Sequence, residues 1–380
     1  MSTSDLDAYL FPNEPSRIEP KHINDILTHC YQLNASDITL QTEEQVIAEI
    51  YGRLRPITRR RLSNTEMGEL INALYGPNGT TQLMSGVDLD THYETRPSRR
   101  ERFRYRVNGT ACHIDGNEGI QITLRTIPST PPELSELNLP ASLIDAITPD
   151  TGVVYITGAT GSGKSTLLAS VLRRLCEEPE SHRKILTYES PIEFVYDEIK
   201  MDSAIICQSE IPRNLPSFAA GVRNALRRKP HAILVGETRD AETINAVMEA
   251  ALTGHPVYTT LHTNGVSETI RRLVGSFPRE EQISRSIDIT ETVRLIVCQR
   301  LIPSVDGKRV AIREFLAFNE KIRDLLLESN IDQITQNTRE LLHQYGQPMS
   351  VDIERQYQNK AISPRTYDIL MKSSRDKPTG

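Results

Sequence analysis

The sequence predicts an α/β chain: a small α+β domain, then a larger domain on a parallel sheet, then a helical C-terminal region. Three observations lead there. A Pro-rich stretch, Ile127-Pro-Ser-Thr-Pro-Pro-Glu133, interrupts the chain a third of the way along. Proline lacks the N–H that a helix or ladder needs, so this stretch reads as a linker. Before it, period-two strands mix with amphipathic helices. After it, β-branched runs alternate with helical ones, the rhythm of βαβ units. At roughly 100–200 residues per domain, a chain of 380 residues holds two domains. The expected boundaries are 1–127 for the first domain, 128–140 for the linker, 141–330 for the second domain and 331–380 for the helical region with its frayed tail. Pro128–Pro132 is the expected hinge.

In the first domain, Ile23 to Leu33 and Thr65 to Leu74 read as helices, the latter with Glu66, Glu69 and Asn72 on one side. Asp37-Ile-Thr-Leu40 and Val46-Ile-Ala-Glu-Ile-Tyr51 read as strands, with Gly52 in the turn. In Arg102-Phe-Arg-Tyr-Arg-Val107, the side chains of Phe103, Tyr105 and Val107 share one face and those of Arg102, Arg104 and Arg106 the other. In Ile120-Gln-Ile-Thr-Leu-Arg125, Ile120, Ile122 and Leu124 point one way and Gln121, Thr123 and Arg125 the other. The pattern predicts a sheet with one cationic face.

In the second domain the expected strands are Val153–Thr157, Lys184–Tyr188, Ile205–Cys207, Ala232–Gly236 and Val257–His262. From Arg279 onward the expectation is mostly helix. The strongest chemical signal follows the first strand: Gly158, Ala159, Thr160, Gly161, Ser162, Gly163, Lys164, Ser165 and Thr166, which satisfies GxxxxGK[ST]. A β-branched strand feeds it, and Leu167, Leu168, Val171, Leu172 and Leu175 continue it at helical spacing. Glycines let backbone N–H groups converge on phosphate oxygens, and the helix N-terminus adds partial positive charge. Lys164 is placed for the β- and γ-phosphates of a nucleotide and Ser165 for Mg²⁺.

Ligands of parallel sheets gather at the carboxyl ends of the strands. Ala232-Ile-Leu-Val-Gly-Glu237 ends in an acid, so Glu237 is expected near Mg²⁺ and its waters. Glu189 and Glu193 follow another strand in Tyr188-Glu-Ser-Pro-Ile-Glu193, where a carboxylate can orient and deprotonate an attacking water. His262 ends a third strand and is able to sense a γ-phosphate by hydrogen bonding. There is no NKxD element, which a guanine-reading enzyme would need.

Composition narrows the class. Lys+Arg number 44 and Asp+Glu 50, a net charge of −6, and aromatics make up 5%. Neither the polybasic character nor the stacking platform of a nucleic-acid coat is present. No stretch approaches the roughly 20 apolar residues of a membrane span, and the N-terminus lacks the basic start and apolar run of a signal peptide. The five cysteines (Cys30, Cys112, Cys176, Cys207, Cys298) form no CxxC pair, which fits reduced thiols in the cytoplasm and supplies no zinc site.

These elements, in this order, resemble the secretion ATPases of type II and type IV systems, a group that includes the pilus-retraction motors. The marks are the Walker A loop, an "Asp box" like Glu189-Ser-Pro-Ile-Glu193, a Walker B like Leu234-Val-Gly-Glu237-Thr-Arg239-Asp240, and a "His box" like Thr253-Gly-His255 through His262-Thr263. The likeness runs from about Ser36 to about Leu327 and takes in Gly52-Arg-Leu-Arg55. Two runs, Leu186 to Asp197 and Ala225-Leu-Arg-Arg-Lys-Pro230, look most like the type IVB (Dot/Icm-like) secretion and conjugation branch.

The resemblance implies a PAS-like first domain and a RecA-like P-loop second domain. It implies an ATP- and Mg²⁺-dependent ATPase assembled as a homohexamer. Such a ring is cytoplasmic and is recruited through protein partners to the cytoplasmic face of the inner membrane, at a membrane-embedded secretion complex. No direct nucleic-acid partner is expected. By motif, Glu193 corresponds to the general base, Glu237 to the acid that orders Mg²⁺ through water, and His262 to the sensor. Glu189 joins the nucleotide-binding set, and Arg104, Arg106 and Arg125 fall where the family presents arginines to a nucleotide.

The chain departs from the family at Ser190 and His231, where Asp is usual, and at Lys321-Ile-Arg-Asp-Leu-Leu-Leu-Glu328, which differs from the matching element of the retraction motors. Alternatives are a PilT-type pilus-retraction motor and a RecA-like nucleic-acid motor. The latter draws on Arg99-Arg100-Glu-Arg102 and Arg227-Arg228-Lys229.

Overall fold

The computed structural model describes residues 8–98, 101–114, 116–127 and 130–375. The expected hinge residues Pro128 and Ser129 and the cluster Arg99-Arg100 lie outside them. Two units emerge: Met1–Thr130 with Ser190–Val195, and Pro131–Glu189 with Tyr196–Gly380. Residues 131–140, expected as linker, belong to the second unit. There Glu133 caps a 3₁₀ turn at Leu134–Leu137, and Arg173 donates to the Pro131 carbonyl at 2.8 Å.

In the first unit, α1 (Pro20–Gln32) starts where Pro20 accepts its missing N–H without loss, and Glu19 and His22 form a reciprocal cap. Its Ile23, Ile26, Leu27 and Cys30 recur at helical spacing and are buried. Strands β1 (Ala35–Gln41), β2 (Ile47–Ile50) and β3 (Arg53–Pro56) follow. Helix α2 (Asn64–Tyr75) is capped by Ser63 and Glu66, and α3 (Gly79–Met84) is a short turn of helix. Strands β4 (Leu89–Thr95), β5 (Phe103–Ile114) and β6 (Asn117–Ile127) complete an antiparallel sheet in the order β3-β2-β1-β6-β5-β4. Ile38, Leu40, Tyr105, Val107, Ile122 and Leu124 cover one face and pack with Ile26, Leu27, Met67, Leu70 and Ile71 of the helices.

The opposite face is not the cationic surface that the strand pattern predicts. Register sets Glu94 across from Arg104, and Arg106 across from Arg125. Arg106 forms a two-point bond to Asp90 (3.1 and 2.6 Å), and Arg125 donates to Asp37 at 2.9 Å. Acids on β1 and β4, which the reading of β5 and β6 alone left out, neutralise the arginine row.

In the second unit, α4 (Ala141–Ala146) leads to β7 (Gly152–Thr157), which is buried throughout. Next come α5 (Lys164–Glu177), β8 (Lys184–Glu189), β9 (Ile205–Glu210), α6 (Phe218–Ala225), β10 (Ala232–Val235), α7 (Ala241–Leu252), β11 (Pro256–Leu261), α8 (Val266–Val274) and α9 (Gln282–Thr292). With two further strands, β12 (Val293–Pro303) and β13 (Arg309–Ala317), the sheet order is β13-β12-β7-β11-β10-β8-β9, parallel except for the β12/β13 pair. Alternate residues of β7 serve opposite layers. Val154 and Ile156 meet Leu167, Val171 and Leu172 of α5, while Val153 and Tyr155 join the cluster of Ile244, Val247 and Ile270. Both faces are covered, as a parallel sheet requires.

The expectation of mostly helix from Arg279 onward holds for the C-terminal region but is corrected at residues 293–317. These form the β12/β13 hairpin that extends the sheet beside β7. Leu295, Ile296, Val297 and Cys298, with Gln299 after them, are an uninterrupted buried run with both faces in the core, so no helical period appears in them. Gly307, at φ +78°, makes the turn. The chain then ends in α10 (Glu320–Leu327), α11 (Ile334–Tyr345), α12 (Met349–Gln358) and α13 (Pro364–Arg375). Ile334, Leu341, Leu342, Met349 and Ile353 join the core of the sheet domain. Among the described residues, no helix is long and apolar enough to cross a membrane.

Candidate active site

The glycine-rich loop leaves the carboxyl end of β7, and α5 begins at Lys164. Two of its glycines are compulsory. At Gly158 the backbone sits at φ +140°, and a Cβ would lie 2.3 Å from the Gln299 carbonyl oxygen. At Gly163, with φ +83°, a Cβ would lie 2.8 Å from Gln299 Nε2. Both positions leave the loop backbone bare. Ala159, Thr160 and Gly161 form the exposed crest, while Ser165 and Thr166 are half-buried at the helix start.

Lys164 is buried and folds back over the loop, its Nζ donating to the carbonyls of Gly158 and Ala159 at 2.9 Å each. Ser162 Oγ is buried and has no hydrogen-bond partner among the described residues. A cradle that admits no Cβ, a lysine held over it and an orphan hydroxyl fit the triphosphate of a nucleotide. The oxygen donors beside Lys164 and in its electrostatic neighbourhood, the Ser165 hydroxyl and the Glu237 carboxylate, suit Mg²⁺, a hard ion that takes oxygen and keeps most of its waters.

Because β7, β11, β10 and β8 run parallel, their carboxyl ends lie along the same edge of the sheet as this loop. Glu237 follows β10 by two residues; its carboxylate lies 2.6 Å from Arg239 Nε and 3.7 Å from His262 Nε2. The Glu237 strand end is locked to its neighbours. Gly236 N–H donates to the Tyr188 carbonyl at 2.8 Å, and Thr260 Oγ1 donates to the Gly236 carbonyl at 2.6 Å. His262 follows β11. Burial first, and the positive charge of Lys164 second, hold its imidazole below the ordinary 6.5, against the pull of Glu237. Lys164, Glu237 and His262 therefore share one electrostatic neighbourhood. Glu189, the last residue of β8, accepts from Thr187 Oγ1 at 2.6 Å and from Gln208 Nε2 at 3.0 Å.

The remaining site residues fall in the first unit. Glu193 lies in Ser190–Val195, which groups with that unit rather than with β8. Its carbonyl accepts from Arg104 at 2.5 Å, and the Ile192 carbonyl accepts from the same guanidinium at 2.8 Å. Arg104 is 1% exposed, with the Glu94 carboxylate 3.9 Å from its Nε. Arg106 and Arg125 are bound to Asp90 and Asp37 as described above, Arg125 remaining 66% exposed.

Motif reading missed Gln299, which touches the loop from β12. Its Nε2 donates to the Ser162 carbonyl at 2.7 Å. The residues before it, Leu295 to Cys298, are continuously apolar, and such a run carries no period that separates strand from helix.

The family model for type II/IV secretion system proteins matches residues 13–358. A curated relative, the type IV pilus retraction ATPase PilT of Pseudomonas aeruginosa, is 33% identical over 82% of this chain and 87% of its own length. Among solved structures, the Legionella pneumophila ATPase DotB superposes with a TM-score of 0.90 at 61% identity, covering 96% of this chain and 99% of that one. The pilus retraction motor PilT with bound ADP gives a TM-score of 0.77 at 30% identity, covering 92% and 96%.

Proposed function

The chain belongs to the type II/IV secretion system protein family, and from that premise we propose that it is the ATPase of a type IVB secretion (Dot/Icm-like) or conjugation apparatus. It is a secretion or pilus ATPase of that family. The observation that carries the finer reading is the 61% identity with DotB across 96% of the chain. In this reading the protein is a cytoplasmic homohexamer with a PAS-like first domain. It docks through protein partners on the cytoplasmic face of the inner membrane. It hydrolyses ATP to drive translocation or assembly, and it takes no nucleic acid as direct partner.

In the same reading, Lys164 leaves the carbonyls of Gly158 and Ala159 to meet the β- and γ-phosphates, and the loop N–H groups hold the remaining oxygens. The Ser165 hydroxyl and, through water, Glu237 would hold Mg²⁺, which would supply charge neutralisation at the phosphates. Glu193 takes the proton of the attacking water, Glu189 braces the site, and His262 senses the γ-phosphate from β11. Arg104, whose guanidinium is committed to the backbone of Ile192 and Glu193, positions the segment that bears the base. Arg106 and Arg125 are the first-unit arginines left to face a nucleotide.

A second reading, pilus retraction, draws on the 33% identity with PilT. Gene replacement separates the two. The type IVB reading expects the chain to restore secretion in Legionella lacking DotB and not to restore twitching in Pseudomonas lacking PilT. The reverse outcome overturns it. Mass photometry with and without ATP and Mg²⁺, beside an ATPase assay, tests the hexamer.

A further inference from the structure

A buried polar chain reaches the phosphate loop from the C-terminal part of the fold. It starts at Asp352 on α12, whose Oδ2 accepts from the Arg313 backbone N–H at 2.8 Å. The Arg355 guanidinium lies 2.6 Å from the other Asp352 oxygen. From β13, Arg313 Nε donates to Gln299 Oε1 at 2.7 Å, and from β12 Gln299 Nε2 donates to the Ser162 carbonyl at 2.7 Å. Gln299, Arg313 and Asp352 are 2%, 2% and 0% exposed, so the cost of leaving any of these groups unpaired is high.

The chemistry fixes the direction of the chain. A guanidinium only donates, so the oxygen of the Gln299 amide faces Arg313 and its nitrogen faces the loop. The Ser162–Gly163 peptide is trans, so its carbonyl and the Gly163 N–H point to opposite sides. Holding the Ser162 carbonyl on Gln299 therefore turns the Gly163 N–H away from β12, toward the side where loop N–H groups collect phosphate. Gly163 also needs its left-handed φ of +83°, and Gln299 occupies the space where a Cβ would stand.

We propose that Gln299 is a positioning residue for the bound nucleotide, aimed by Arg313 and Asp352, so that helix α12 of the C-terminal region sets the phosphate-binding geometry of the loop. This rests on reading Gly158–Thr166 as the nucleotide loop. The chain acts on the ground-state grip of the phosphates through one peptide plane, which predicts an effect on affinity rather than on the hydrolytic step.

The test uses the full chain. Gln299→Glu keeps the shape and the acceptor for Arg313 but sets an acceptor against the Ser162 carbonyl. Asp352→Asn disturbs the far end. A fluorescent ADP analogue reports Kd, and steady-state hydrolysis gives KM and kcat. In Gln299→Glu we expect Kd and KM to rise about tenfold or more, with kcat at saturating ATP within about threefold of the parent. Asp352→Asn should weaken nucleotide binding on its own and add nothing in the Gln299→Glu background. Parental affinity in Gln299→Glu, a loss confined to kcat, or additive effects of the two substitutions would each overturn the inference alone. A parent chain that binds no nucleotide overturns it together with the loop reading.

Discussion

Arg104 donates to the backbone carbonyl of Glu193 at 2.5 Å, the same residue whose carboxylate is proposed as general base. A second bond, to the Ile192 carbonyl, makes this a two-point grip on the peptide segment rather than on a ligand. A side chain that is 1% exposed and so held does not swing out without leaving two carbonyls bare. Each bare buried acceptor costs about 1–3 kcal/mol. Arg104→Ala should therefore depress turnover by misplacing Glu193. Mixing it with Lys164→Ala subunits should not restore hydrolysis, as it would for an arginine acting on a neighbour's nucleotide. ATPase assays on mixtures of the two variants decide this. Activity above both parents assigns Arg104 to a neighbouring site instead.

Glu193→Gln preserves size and removes the carboxylate proposed as base. Nucleotide affinity should stay near the parent value while turnover falls by about 10²–10⁴-fold. Isothermal titration and single-turnover hydrolysis separate the two quantities, and unchanged turnover removes Glu193 from the role.

The depressed pKa of His262 means that the ring is neutral at pH 7 and gains a proton only in more acidic solution. Burial contributes most and Lys164 next, so Lys164→Met should raise the value toward the ordinary 6.5. Following the His262 ring carbon–proton signal by NMR from pH 4 to 8 tests both statements. A parent ring that titrates at or above 6.5, or one indifferent to Lys164→Met, overturns the proposed coupling.

Much of the site was legible because its signals are local. Gly158 to Thr166 carries its own spacing, and Glu237 and His262 stand at the ends of runs that read as strands from β-branching alone. What was not legible depends on partners distant in sequence. Arg104 looks like an exposed base on an alternating strand. Its partners are 88 and 89 residues away, and no period within β5 records them. The acids that neutralise Arg106 and Arg125 sit on β4 and β1, set opposite only by register. Gln299 escaped for another reason: the strand around it is buried on both faces, and continuous apolar sequence does not distinguish a strand from a helix.

Glu66 offers a test of the first unit that is independent of catalysis. Its carboxylate is 2% exposed and accepts from Arg60 at 2.7 and 3.0 Å, from the Ile18 N–H at 2.7 Å and from the Ser63 N–H at 2.8 Å. Burial by itself would raise its pKa. The bonds from Arg60, Ser63 and Ile18 outweigh that and bring it down to about 2 from 4.5. Because the folded value is depressed, the unfolded chain binds the proton more readily. The carboxylate's contribution is complete above about pH 4.5 and is lost as pH falls through about 2. Glu66→Gln should thus cost about 2–3 kcal/mol at neutral pH, and the penalty should shrink steadily as the solution is acidified across that window. Calorimetry of the transition that carries the first unit, run from pH 7 down to 2, checks both the size and the slope. A penalty that does not change with pH would show that the packing of Glu66, and not its charge, holds the start of α2 to Arg60 and Ile18.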